Sequence, residues 1–140
     1  MKILAVSDKE SSRVYNAQII SRFKDIDLAI GCGDLSYCYL EYIISSLDIP
    51  LYFVRGNHAK SIEYSVAGPR SHPWGGVDLH KKVHRDRKTG LLLAGIEGSL
   101  RYNLGKYQYT QTEMWTMVLG LVPGLIVNKL NYGRFLDIFV

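Results

Sequence analysis

Four residues of this chain carry the chemistry it could do: Asp8, Asp34, Asn57 and His58. Carboxylate and amide oxygens are hard donors suited to small divalent cations, and one carboxylate can bridge two of them. Two such ions about 3.5–4 Å apart can clamp both the attacking and the leaving oxygen of a phosphoryl displacement. An imidazole beside a metal-held amide can bind a phosphate oxygen or protonate a leaving group. Each residue alone has a plainer reading. Asp after a strand is a common helix cap, and Asn-His after Gly is ordinary turn chemistry. Their shared placement favours a site. Ile3-Leu4-Ala5-Val6 runs into Ser7-Asp8, Leu28-Ala29-Ile30 into Gly31-Cys32-Gly33-Asp34, and Leu51 to Val54 into Arg55-Gly56-Asn57-His58. In open α/β sheets, ligands gather beyond the carboxyl ends of the strands.

The elements that must position these residues read as β-α-β-α-β. Strands are expected at 2–6, 27–32 and 51–54. A helix is expected over 11–23, and a second over 37–47 capped by Ser36. That alternation implies a parallel sheet with right-handed crossovers. The stretch 59–76 is irregular, with Gly68-Pro69, His72-Pro73-Trp74 and Gly75-Gly76, and reads as a rim or lid beside the site. Residues 77–84 alternate with period two, as a half-exposed strand does. With a polar turn at 85–90 and a return strand at 91–96, they read as a hairpin of a second, more antiparallel sheet. Thr110 and Glu113 form a capping box for a helix that must stop or bend at Pro123. A further helix over about 123–130 ends at Asn131 and Gly133, and 135–140 reads as a buried strand.

At 140 residues the chain is expected to be one domain. A formal charge of +4 permits an anionic substrate, but the basic residues are scattered, so no nucleic-acid partner is argued. The one basic cluster, Lys81 to Lys88, reads as a soluble hairpin tip, and His80 and His84 as ordinary exposed residues. Cys32 and Cys38 make neither a disulfide framework nor a zinc pattern, which fits a reducing, cytoplasmic setting. The apolar run 114–127 is broken by Gly120, Pro123 and Gly124. It falls short of the roughly 20 residues a membrane span needs. Helices over 110–131 are expected instead to be buried or to face a second copy or a missing C-terminal segment.

The sequence resembles the calcineurin-like metallophosphoesterase family in Ile3-Leu4-Ala5-Val6-Ser7-Asp8, Gly31-Cys32-Gly33-Asp34-Leu35 and Gly56-Asn57-His58, and in the spacing of the three. The likeness is good over 1–58 and looser over 91–140, through Leu93-Ala94-Gly95-Ile96-Glu97-Gly98. It implies an α/β fold, an αββα sandwich with a two-metal site between its sheets, and hydrolysis of a phosphate-ester substrate. Two divalent ions (Mn, Fe, Zn or Mg) are implied, Asp8 binding the first, Asp34 bridging and Asn57 binding the second, with His58 as the catalytic group facing phosphate. The family usually has Asp-x-His at its first motif, whereas Lys9 and Glu10 follow Asp8. Glu10 shares a face with Asp8 in an extended segment and reads equally as a further metal ligand or as a solvated turn residue. Ala59 stands where an acid is usual, and the later His ligands, including Gly-His-x-His, have no counterpart in 1–140. The chain is therefore expected to be an incomplete domain that holds metal weakly and hydrolyses poorly alone. The alternative is a non-catalytic binding or scaffold relative that keeps the fold.

Overall fold

Two larger sheets hold seven of the described strands of this mixed α/β chain, whose computed structural model describes residues 1–65 and 68–140. In chain order the elements are β1 (Ile3–Val6), α1 (Ile19–Phe23), β2 (Leu28–Cys32), α2 (Tyr37–Leu47), β3 (Leu51–Val54), β4 (Glu63–Ser65), β5 (Gly68–Arg70), β6 (Gly76–Asp78), β7 (Lys82–Arg85), β8 (Leu92–Gly95), β9 (Ser99–Leu100), β10 (Gln108–Tyr109), α3 (Gln111–Gly120), α4 (Val122–Tyr132) and β11 (Ile138–Phe139). The first sheet runs β1-β2-β3-β6, all parallel. The second runs β11-β8-β7, parallel at β11 and antiparallel at β7. Two short pairs, β4 with β5 and β9 with β10, stand apart.

Alternation along the central strands sorts the core into three. Ala29, Leu51 and Phe53 face Ile19, Leu40 and Ile43 of α1 and α2. Leu28, Ile30, Tyr52 and Val54 point the other way, onto Leu79 and Leu93. One residue further along β8, Ala94 joins Met117 and Leu121 under α3 and α4. The layers are thus helix, sheet, sheet, helix. β2 and β3 are covered on both faces, which is why their sequences are nearly all apolar rather than alternating. Each fully buried leucine among them contributes about 1.5–3 kcal/mol relative to exposure.

Several sequence expectations are corrected. The helix expected over 11–23 is only α1, because Ser11 Oγ accepts from the N–H of Arg13 at 3.3 Å and Asn16 Oδ1 from that of Gln18 at 2.9 Å. Such side chains offer the backbone an alternative to helical bonding. The single strand expected over 77–84 is two strands in two sheets. β6 pairs with β3, and β7 with β8. The chain turns between them at Leu79, fully buried, and at Lys81, whose φ is 55°. The stretch expected to be irregular at 59–76 contains β4 and β5. The buried strand expected at 135–140 is a two-residue edge strand, with Phe135 and Phe139 about half exposed at 52% and 53%. The capping box at Thr110 is formed, and Gly133, with φ 75°, ends α4.

Of the expected partner-facing helices, Met117 is buried while Trp115, Leu119, Ile126 and Leu130 are exposed. Among the described residues, no helix is long and apolar enough to cross a membrane.

Candidate functional site

Parallel register brings three loops to one edge. Val6 pairs with Gly31, and Cys32 with Val54, so the residues that follow β1, β2 and β3 emerge side by side. The Asp8 N–H donates to the Gly33 carbonyl at 3.2 Å, tying the first loop to the second. Asp8 and Asp34 both have left-handed backbones, with φ 60° and 54°, a conformation Asp and Asn tolerate better than most residues.

The second and third loops meet through glycine. A Cβ on Gly56 would lie 2.1 Å from Asp34 Oδ1 and 2.6 Å from the Asp34 nitrogen. No side chain fits there, so the Asp34 carboxylate lies directly over the Gly56 backbone. Its Oδ1 then accepts the backbone N–H of His58 at 2.8 Å. Among the described residues, Asp34 Oδ2 has no hydrogen-bond partner. The Asn57 amide is oriented from outside: its Nδ2 donates to the Tyr102 hydroxyl at 2.8 Å, and among the described residues its Oδ1 has no hydrogen-bond partner. Asp8 Oδ2 accepts from Ser7 Oγ at 2.8 Å. The Glu10 carboxylate takes the hydroxyl of Ser36, the residue that caps α2 by accepting the N–H of Tyr39 at 3.2 Å. The structure therefore brings the Asp8, Asp34, Asn57 and His58 loops together, and places Glu10 against the start of α2. His58 and Asp34 border an open hollow of about 480 Å³.

As holders of divalent ions these residues fit in kind. Asp8, Asp34 and Asn57 offer hard oxygen atoms, with Asp34 Oδ2 and Asn57 Oδ1 left over from protein hydrogen bonding. They are few: hard ions take six or more oxygens, and among the described residues no three His, Cys, Asp or Glu side chains converge as a metal group.

Next to this edge lies a charged cluster that reading the sequence missed. Arg55 Nη1 meets Asp78 Oδ2 at 2.7 Å and Glu97 Oε2 at 3.4 Å. Its Nε donates to the Tyr37 hydroxyl at 3.3 Å and its Nη2 to the Ser71 carbonyl at 3.1 Å. Burial works against the Arg55 charge, but the hydrogen bonds with Tyr37 and Asp78 outweigh it and hold the guanidinium protonated. Glu97 also receives the Tyr109 hydroxyl at 2.9 Å, and its oxygen lies 3.4 Å from His80 Nε2. Burial, with the Glu97 hydrogen bond, pushes the Tyr109 phenol up to about 12. His80 is not the exposed residue expected. Only 17% of its side chain is accessible, its Nδ1 accepts the Glu97 N–H at 3.1 Å, and burial lowers its pKa against the pull of Glu97. His84 is half-buried too, with its ring centroid 5.1 Å from that of Tyr52. The missed signal was β6: as a fourth parallel strand it delivers Asp78 to the same edge.

No family model, curated protein or solved structure matches this chain.

Proposed function

We propose that this chain is a phosphate-ester hydrolase of the calcineurin-like metallophosphoesterase type, working with two divalent ions and weakly so with the donors present in residues 1–140. The observation that carries this reading is the hydrogen-bonded convergence of three strand-end loops, Asp8 to Gly33 and Asp34 to His58. The layer order of helix, sheet, sheet, helix is the one an αββα sandwich of that family would have.

Asp8, Asp34 and Asn57 would hold the ions (Mn, Fe, Zn or Mg), with Glu10 a further oxygen if it leaves Ser36. When bound, such ions polarise phosphoryl oxygens and make a bound water more acidic. The chain's own residues do the rest. Asp34 keeps one oxygen available because the other is satisfied by the His58 N–H. Tyr102 turns the Asn57 amide so that its oxygen is free. The exposed His58 imidazole, at the wall of the hollow, can hold a proton for the departing alkoxide. Within the same reading, the exposed apolar side chains of α3 and α4 would contact a second copy or a further C-terminal segment, in a cytoplasmic setting.

The test is hydrolysis of para-nitrophenyl phosphate with and without millimolar Mn²⁺, Mg²⁺ or Zn²⁺. Asp34→Asn keeps an oxygen for the His58 N–H, so the fold should persist. Its metal-dependent rate should fall by at least about 100-fold, the upper end of what even outer partners of a metal cost. Hydrolysis that ignores metal, or survives Asp34→Asn, rules the reading out. A second reading, a binding module without catalysis, is favoured by the engagement of Glu10 with Ser36. It predicts metal-dependent phosphate binding with no turnover.

A further inference from the structure

We propose that the hollow beside Asp34 and His58 is a leaving-group subsite for a small phosphate monoester whose alcohol carries a flat aromatic ring, of the nucleoside monophosphate kind. The inference rests on the reading of Asp34 and His58 as the place where phosphate sits.

The hollow's volume of about 480 Å³ falls in the range of about 300–1,000 Å³ typical of small-molecule sites. A phosphate group alone would leave most of it empty. Its wall mixes polar residues with the exposed apolar side chains of Ile62 and Tyr64. Tyr64 on β4 is 82% exposed and Ile62 is 49% exposed, so a ring and a branched alkyl group both present surface to the hollow they line. Lys60 lines the same wall, and among the described residues its ammonium has no partner, which suits a carbonyl or ring nitrogen at the edge of a base. Glu63 also lines the hollow and is held at its inner end, its Oε2 accepting the backbone N–H of Tyr37 at 2.7 Å.

The wall is also held in place. The Tyr37 hydroxyl donates to the Lys60 carbonyl at 3.0 Å, so the start of α2 grips the segment at both 60 and 63. Lys106 reaches across from the loop between β9 and β10 to Ser61 Oγ. A subsite fixed before binding spends less on ordering. A phosphoserine side chain, with only a methylene between phosphate and backbone, would leave Tyr64 and Ile62 unused.

The experiment compares adenosine 5′-monophosphate with ribose 5-phosphate. Both release a primary alcohol from the same sugar carbon, so a difference reports the base and not the leaving-group chemistry. With Mn²⁺ present, the nucleotide should show the higher kcat/KM. Tyr64→Ala should reduce that preference about five-fold, the size of one ring-on-ring contact. Ile62→Ser should reduce it in the same direction. Tyr64 is a surface residue, so the variant should fold, which circular dichroism checks. Equal kcat/KM for the two esters, a preference untouched by Tyr64→Ala, or faster turnover of a phosphoserine peptide overturns the subsite. If no ester is hydrolysed, the hydrolase reading fails separately. The subsite is then read from adenosine 5′-monophosphate binding by NMR, with shifts at Tyr64 and Ile62 and a Kd raised about five-fold in Tyr64→Ala. Absence of those shifts overturns it.

Discussion

Arg55 keeps a patch of opposed charge from becoming a liability. Asp78 and Glu97 are mostly buried, with 23% and 7% of their side chains accessible, and both lean on the one guanidinium. A buried pair is weak evidence of stability, but taking away one partner is costly, because the other is left charged and dry. Arg55→Met should therefore destabilise the fold by about 3–5 kcal/mol in urea unfolding. Combining it with Asp78→Asn should recover part of the loss, since the amide carries no charge to strand. A double variant no better than the single one would mean that the Tyr37, Ser71 and Glu97 contacts, not the pair with Asp78, carry the effect. Lys would be a poor substitute. Arg55 spreads its donors over four partners in fixed directions, and an ammonium is a point charge. Because Gly98 donates to the Arg55 carbonyl at 2.7 Å, the same residue also ties the loop after β8 to the loop that carries Asn57 and His58.

At the scale of elements, local chemistry explains both what could be read in advance and what could not. β3, α2 and the cap of α3 were legible because their signals are short-range: an unbroken apolar run, Ser36 before an amphipathic stretch, Thr110 three residues before Glu113. The three site loops were legible for the same reason, each being a strand end followed by an acid or an Asn-His step. The split of 77–84 was not, because period-two alternation is the same whichever sheet a residue joins. Only the burial of Leu79 between the sheets decides it. For that reason the Arg55 cluster was invisible: Asp78 ends β6, which joins the first sheet, and His80 follows in the turn, whereas the hairpin of β7 with β8 that leads to Glu97 pairs antiparallel as expected. The turn between β7 and β8 hides another such contact. Asp86 is 3% exposed and accepts from Thr89 through both its N–H and its hydroxyl, at 2.6 Å each, and from the Tyr52 hydroxyl at 2.7 Å. Burial pushes its carboxyl up, but the Thr89 and Tyr52 hydrogen bonds outweigh that and set it below the ordinary value of 3.8. A carboxyl depressed in the fold contributes stability that is present above its unfolded value and is lost as pH falls through the folded one. Stability should thus hold down to about pH 4 and decline below it. In Asp86→Ala the decline should be shallower. That variant should also be less stable at pH 7 by about 1–3 kcal/mol, for leaving the Tyr52 hydroxyl unpaired. An acid limb unchanged in the variant would assign the pH dependence to other carboxylates.

Across the whole molecule, the two sheets meet at a seam where the chain crosses from one to the other. The chain leaves the first sheet where the Leu79 N–H donates to the Phe53 carbonyl at 2.9 Å, and enters the second where His80 bridges Gly95 and the Lys81 N–H donates to the Gly95 carbonyl at 3.0 Å. Gly95 permits this. A Cβ there, on the second sheet, would stand 2.7 Å from Val54 Cγ1 of the first sheet and 2.9 Å from Leu79 Cβ where the chain crosses the seam. Gly95→Ala should overpack it at a cost of about 1–3 kcal/mol. Since well-packed interiors transmit strain instead of absorbing it, the change should reach both layers. Hydrogen exchange is the measurement: amides of β3 and of β8 should lose protection together in Gly95→Ala. The candidate site should feel it too, because Val54 is the last residue before Arg55 and the loop with Asn57 and His58. If only β8 and its neighbours β7 and β11 exchange faster, the sheets are independent units that merely touch. The edge that carries Asp8, Asp34 and Asn57 would then owe its geometry to the first sheet alone.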